Sequence, residues 1–365
     1  MKKIRVLQTF MNGEIKMNYF SFQWHILDDC DQRCKHCYIF SEDNNIPLCR
    51  MDWEQMNYVL EQCEDMAGKM NRKPYFYITG GDPILHKDFW RLLELLKEKD
   101  IPFTLMGNPF HLTNEICNRL KELGCEKYQM SIDGLEETHD YFRKKGSFKT
   151  TLEKIKCINQ AGIESVIMTT VSGTNINEIP EIIDLMVENE VGIYAFARYC
   201  PTSLDKAKQE GTHIEPKDYR EMLDKCYKKF EKYKNSKTYF CLKDHLWTLY
   251  LYEIGKYKID DKSNPNLIYD GCHCGSGHFT ILPSGDLYAC RRMESKVGNI
   301  FNKDKSLYEY WTSQEMNKYR KWNDFEKCSK CELLRFCRGC PAVSYGYTHN
   351  MYSADPQCWK EIDKK

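Results

Sequence analysis

The chain carries no net charge of either sign: 53 basic residues balance 53 acidic ones. That balance removes the electrostatic argument for a nucleic-acid binder or a membrane-surface binder. No apolar run approaches 18 residues, so no membrane span is expected. The opening residues, MKKIRVLQTFMNGEIKM, are basic but lack an apolar stretch, so they do not read as a secretory signal. Internal repeats and low-complexity tracts are missing as well. What remains is 365 residues, 42% apolar and 29% charged, which suits a packed core rather than disorder. The length suits one large domain plus a smaller one.

Cysteine is in excess. There are 19, an odd number, so complete internal disulfide pairing is excluded. Without a secretory signal the expected compartment is the reducing cytoplasm. There, clustered cysteine points to a metal site before it points to a disulfide framework.

Apolar runs of strand type alternate with stretches of 3.6 periodicity. Strands are expected at 19–27, 74–79, 102–106, 127–132, 165–171 and 192–198. Helices are expected at 52–70, 88–99, 113–123, 147–161, 180–190 and 216–234. Asp52 and Gln55 have the spacing of a capping box, and Thr113 sits where a helix N-cap belongs. Six β/α units in strict alternation predict an α/β fold with a parallel sheet, in the form of a partial (β/α)6 barrel. After residue 240 the rhythm breaks. The expected division is a barrel over 1–240, a connecting segment over 241–270 and a Cys-rich domain over 271–365.

The first strand ends in Asp28-Asp29-Cys30, and Cys30-x3-Cys34-x2-Cys37 follows. In β/α barrels the C-terminal edge of the strands carries the chemistry. Three thiolates in one short loop suit three irons of a 4Fe–4S cluster and leave the fourth iron open. A zinc loop completed by His36 or His25 is the alternative. Further on, Cys274-x10-Gly285-x4-Cys290 is followed by Cys328-x2-Cys331-x5-Cys337-x2-Cys340 and by Cys358. A four-cysteine run of that spacing also suits a zinc ribbon. A zinc-binding interaction protein is therefore the competing class.

The first loop resembles that of the radical S-adenosylmethionine (SAM) enzymes, whose motif is C-x3-C-x-Φ-C. His36 stands at the aromatic position. The resemblance extends to Gly80-Gly81-Asp82-Pro83, where the family has G-G-E-P, and to Ser131-x-Asp133-Gly134 with Arg143 and Gly146-Ser147-Phe148. Asn175-x2-Glu178 matches a further family segment. The resemblance implies that Cys30, Cys34 and Cys37 hold the SAM cluster. It also implies that His36, Gly80, Gly81, Asp82, Ser131 and Arg143 contact SAM, whose cleavage yields a 5′-deoxyadenosyl radical.

The later cysteines resemble the SPASM extension of that family, an iron–sulfur domain with two further 4Fe–4S clusters. The gap from Cys337 to Cys340 is one residue shorter than the family's. By family order, Cys272, Cys274, Cys290 and Cys340 would hold auxiliary cluster I. Cys328, Cys331, Cys337 and Cys358 would hold auxiliary cluster II. Three 4Fe–4S clusters and SAM are thus the implied cofactors.

SPASM enzymes most often modify peptides, so a peptide maturase is expected. It would make a crosslink such as a thioether, or another side-chain oxidation, in a Cys-rich peptide. Flavodoxin or ferredoxin would supply electrons in an anaerobic bacterium. Many such maturases carry a peptide-recognition domain of their own; with 29 residues before Cys30, no such N-terminal domain is expected here. Anaerobic sulfatase maturases carry Asp directly after the cysteine of G-x4-C; here Arg291 and Arg292 follow. The Cys328–Cys358 spacing also resembles haem-pathway members, which makes a tetrapyrrole or other small molecule the second reading. Arg198 and Arg291 are candidate pocket residues.

Overall fold

The computed structural model describes residues 19–40, 47–259, 264 and 267–362. The opening segment read above for a signal lies outside the described residues. Strict alternation makes the first apolar run strand β1, Tyr19–Leu27. Phe20, Phe22, Trp24 and Ile26 are fully buried. Side chains of this size contribute roughly 1.5–3 kcal/mol each when buried. The other face carries Ser21, Gln23 and His25.

Five more parallel strands follow: β2 Lys73–Gly80, β3 Phe103–Met106, β4 Cys125–Ser131, β5 Glu164–Val171 and β6 Ile193–Arg198. Each matches an expected strand to within two residues. Helices α1 Trp53–Lys69, α2 Phe89–Glu98 and α3 Asn114–Glu122 connect the first four. The capping box at Asp52 and Gln55 is formed, and Thr113 caps α3 through the Ile116 amide. Two helices, α4 Glu136–Phe142 and α5 Ser147–Gln160, join β4 to β5, and α6 Ile179–Glu188 joins β5 to β6. The sequence reading placed only α5 in the first of these connections. At seven residues α4 is too short to show a helical period.

The expectation of six strands understates the sheet, which has ten in the order β10-β9-β8-β1-β2-β3-β4-β5-β6-β7. After α7 Leu204–Gln209 and α8 Pro216–Lys232, strand β7 Tyr239–Cys241 pairs parallel with β6. The segment expected only to connect also carries α9 Leu246–Glu253, with Leu246, Trp247, Tyr250 and Leu251 in the core. The Cys-rich region then extends the opposite edge. Strand β8 His278–Ile281 lies parallel to β1, and β9 Asp286–Tyr288 and β10 Lys296–Asn299 add antiparallel to it. These strands run three or four residues, too short for a period-2 signal. Helices α10 Leu307–Thr312, α11 Gln314–Asn317 and α12 Pro341–Thr348 complete the described fold. Among the described residues no helix is long and apolar enough to cross a membrane.

A buried ionic cluster fastens the C-terminal segment to the barrel. Arg198, the last residue of β6, donates from Nη1 and Nη2 to both oxygens of Asp355 at 2.6 and 2.9 Å, and from Nε to Asp244 at 2.9 Å. Gln357 accepts from the same guanidinium at 2.9 Å. Burial opposes both charges, yet the pairing outweighs it: Arg198 is held well above its ordinary range and Asp244 below its own. Removing one partner from such a cluster leaves an uncompensated buried charge. Asp355→Ala should therefore destabilise the protein by about 3–5 kcal/mol. Denaturant unfolding measures this; an unchanged midpoint would show that the ionic cluster carries no net stability.

Candidate active site

All the strands from β1 to β7 run in one direction, so their C-terminal ends and following loops share one edge. Cys30, Cys34 and Cys37 lie in the loop after β1. The Cys37 amide donates to the Cys34 carbonyl at 3.0 Å, closing a turn that sets the last two thiols one turn apart. The next strand end packs against this loop. Gly81 N donates to Leu27 O at 2.9 Å and Asp82 N to Asp29 O at 2.8 Å. Both glycines are needed for this approach: a Cβ on Gly80 or Gly81 would stand 2.0 Å from Leu27 O or Asp29 O. The two glycines thus hold the cysteine loop, with the Gly81 amide committed to that contact.

Asp82 is the exception to good pairing. Its side chain is fully buried, no side chain donates to either carboxylate oxygen, and the Ile84 and Asn108 amides beside it make no well-aligned hydrogen bond. Burial, with Asp31 nearby, pushes its acid up to about 7. Asp31 itself accepts from Asn108 at 2.6 Å and pairs with His111 at 3.0 Å. A buried, unsatisfied carboxylate is costly unless a cation meets it.

The end of β4 supplies a hub absent from the expected site residues. Asp133 receives Arg143 Nε at 2.6 Å and His36 Nε2 at 3.3 Å on one oxygen, and the Thr170 amide at 2.8 Å on the other. Its backbone carbonyl accepts from Asn175 at 2.7 Å. Burial alone would raise this carboxyl; Arg143 and His36 outweigh it and hold it well below the usual range. Arg143 also points Nη1 at Cys34 Sγ, 3.7 Å away. Two of its donors are therefore committed to Asp133 and a thiol, and the Asp-Gly after β4 was the readable signal for this. Ser131 is the half-buried last residue of β4. Beside this hub a cavity of about 270 Å³ opens, lined by His36, Asp133, Phe142, Thr170, Ser172 and Tyr199 among others.

The later thiols fall into two groups. The Cys274 amide donates to Cys272 Sγ at 3.4 Å, and Cys290 and Cys340 lie close to Cys272. Cys328, Cys331, Cys337 and Cys358 are the other neighbours. Two consecutive left-handed residues, Arg338 (φ 62°) and Gly339 (φ 61°), let the short gap deliver Cys337 to one group and Cys340 to the other. Gly339 has no alternative, because a Cβ there would stand 2.5 Å from the Asp355 carboxylate. Asp355 in turn accepts from the Cys340 amide at 2.8 Å. Cys200, two residues after the end of β6, lies beside Cys340 and was not assigned from sequence. Burial pushes the Cys30 thiol up to about 11 and Cys290 and Cys328 up to about 12. Thiolates in such surroundings need a cation, which a metal centre supplies.

Of the two pocket arginines, Arg198 is taken up by the ionic cluster. Arg291 stands beside Tyr38, its guanidinium carbon 4.5 Å from the ring centre.

Comparison with known proteins agrees with this geometry. The radical SAM superfamily profile matches residues 24–186, and an iron–sulfur cluster-binding domain, SPASM, matches 272–341. The chain is 26% identical to an AdoMet-dependent heme synthase of Methanosarcina barkeri, over 94% of this chain and 97% of the relative. It is 23% identical to mycofactocin maturase MftC of Mycolicibacterium smegmatis, over 92% and 81%. The fold is shared with Streptococcus suis SuiB bound to S-adenosylmethionine, with a TM-score of 0.70 at 20% identity, covering 94% of this chain and 78% of that one.

A cationic ligand at Asp82 should bind more weakly as pH falls through about 7, because the carboxyl is then protonated in the free protein. Binding of SAM, followed by equilibrium dialysis across that range, should show the loss, and Asp82→Asn should flatten it. A flat wild-type profile would remove Asp82 from the contact.

Proposed function

We propose, for a chain that belongs to the radical SAM superfamily and carries a SPASM iron–sulfur domain, that it oxidises a substrate held at the barrel mouth. The observation that carries this is the unpaired carboxylate of Asp82 beside the Cys30–Cys34–Cys37 loop. The residues fit the groups that the family implies. Three thiols hold the SAM cluster, and Asp82 accepts the ammonium group of SAM. The cavity beside Asp133 takes the nucleoside, with Ser131 at its strand end and His36 and Arg143 held by Asp133. When bound, these groups supply a 5′-deoxyadenosyl radical that removes hydrogen from the substrate. Arg143 and Asn108 place N–H donors toward Cys34 and Cys30, which favours their thiolates.

Cys272, Cys274, Cys290 and Cys340 hold auxiliary cluster I. Cys328, Cys331, Cys337 and Cys358 hold auxiliary cluster II, for three 4Fe–4S clusters in all. Strands β1 to β7 carry the radical-generating part, α9 packs into the same core, and the described region from Cys272 onward carries the auxiliary clusters. A small electron-transfer protein of the flavodoxin or ferredoxin type supplies reducing equivalents.

For the substrate, a tetrapyrrole is the first reading. The heme synthase relative matches over nearly its whole length, and Arg291 stands where sulfatase maturases have Asp. Peptide modification is the second reading, supported by the mycofactocin maturase relative. Four thiols in the first auxiliary group, with Cys200 beside them, favour a fully ligated cluster. That disfavours a thioether route requiring an open iron.

Anaerobic reconstitution should give about twelve irons per chain, and Cys30, Cys34 and Cys37 replaced by Ala should remove about four of them. With dithionite, SAM should yield 5′-deoxyadenosine, and Cys34→Ala should abolish it. Stoichiometric zinc with negligible iron would instead support an interaction protein. Parallel assays with iron-coproporphyrin III and with peptides encoded by neighbouring reading frames, read by mass spectrometry, decide between the substrate readings.

A further inference from the structure

Two buried hydrogen-bond donors near the SAM-cluster loop have no acceptor. The first is on His25 of β1, which is fully buried. Thr280 on β8 donates to Gln23 Oε1 at 3.5 Å, which turns the Gln23 amide nitrogen toward His25 Nε2, 3.3 Å away. With Gln23 in that orientation, Nε2 is assigned as the acceptor and the proton of the neutral ring to Nδ1. That N–H has no partner. Burial first and Arg291 second hold this imidazole down to about 3, so it stays neutral at ordinary pH.

The second donor is Arg291 Nε, buried and likewise without a partner. Among the described residues no carboxylate lies within ion-pair distance of this guanidinium. Asp28 receives the Cys49 amide at 3.1 Å and feels the Arg291 charge, which lowers its acid, without forming an ion pair with it. Arg291 instead lies over Tyr38, 4.5 Å from its ring centre, and 5.8 Å from that of Tyr288. Tyr38 also neighbours His25, with ring centres 6.4 Å apart, and is 38% exposed, so the place is open to a ligand. Tyr38 directly follows Cys37, and Arg291 directly follows Cys290. The two orphan donors thus lie between the loop of the SAM cluster and the first auxiliary thiol group.

Arg291 is half-buried, and its Nε, like the Nδ1–H of His25, is withdrawn from water without an acceptor, which is costly to the fold. One kind of group satisfies both: an anion with two acceptor atoms, for which a carboxylate matches the arginine fork. We propose that Arg291 and His25 bind a carboxylate of the substrate over the ring of Tyr38. This rests on the reading that the barrel mouth is the substrate chamber. It makes the substrate a carboxylate-bearing molecule, and it makes Arg291 a specificity residue that orients it beside the radical source.

The test titrates the anaerobically reconstituted holoenzyme with glutarate, a bare dicarboxylate, and separately with SAM, each followed by calorimetry. Arg291→Gln should weaken glutarate binding roughly tenfold or more, the effect of one lost charge-assisted contact. Arg291→Lys, which keeps the charge, should recover part of it. His25→Phe, which keeps the ring but removes the donor, should also weaken it. Iron content identifies variants that retain the fold; should Arg291→Gln lose iron, the other two carry the comparison. No glutarate binding by the wild type, or equal binding by wild type and variants, overturns the proposal. A loss confined to SAM overturns it too and assigns the site to the carboxylate of SAM itself. Failure of the radical reading is separate: the wild type would then form no 5′-deoxyadenosine, whatever glutarate does.

Discussion

The contact between Arg198 and Asp355 joins two parts of the chain 157 residues apart, and the candidate site depends on it. Arg198 ends β6, at the edge where the barrel carries its chemistry. Asp355 belongs to the C-terminal segment, and the same carboxylate holds the Cys340 amide at 2.8 Å. Arg292 adds a second tie by donating to the carbonyl of Arg198. One buried carboxylate thereby sets the position of an auxiliary thiol relative to the barrel. Burial makes the pairing obligatory: neither charge can turn to water, so each must keep its partner.

Asp133 does the same work on the other side of the mouth. It gathers His36 from the cysteine loop, Arg143 from the end of α4 and the backbone of β5 and its loop. His139, behind it, accepts the Asp133 amide and reaches Ser147, which is also bonded to Gln32 within the cysteine loop. The loop that carries Cys30, Cys34 and Cys37 is thus held from three strand ends. Its thiols are ordered before any ligand arrives, which lowers the entropy lost on binding.

Three of the side chains with buried, unsatisfied polar atoms are Asp82, His25 and Arg291. Asp82 is an acceptor in want of a cation, while His25 and Arg291 are donors in want of an anion. These opposite needs flank the same cysteine loop. An amino-acid-like cofactor and an acidic substrate would meet them from different sides.

Much of this was legible in the sequence. The strands of the first six units were set by alternating burial along runs such as Phe20–Trp24, which local pattern alone determines. The cysteine spacings, the Gly-Gly-Asp turn and the Ser-x-Asp-Gly turn mark strand ends because turns and metal loops need those residues locally. Pairings at long range were not legible. Nothing near β8 says that four residues, HFTI, extend the sheet beside β1. Arg198 reads as a mouth residue from its place at a strand end, and only the folded chain shows it consumed by Asp244 and Asp355. The roles of Cys200, His25 and Arg291 likewise depend on neighbours up to hundreds of residues away. Local sequence determines backbone periodicity and ligand type, because those follow from steric and chemical preference within a few residues. Which buried charge finds a partner, and which is left for a ligand, is decided only when distant segments exclude water together.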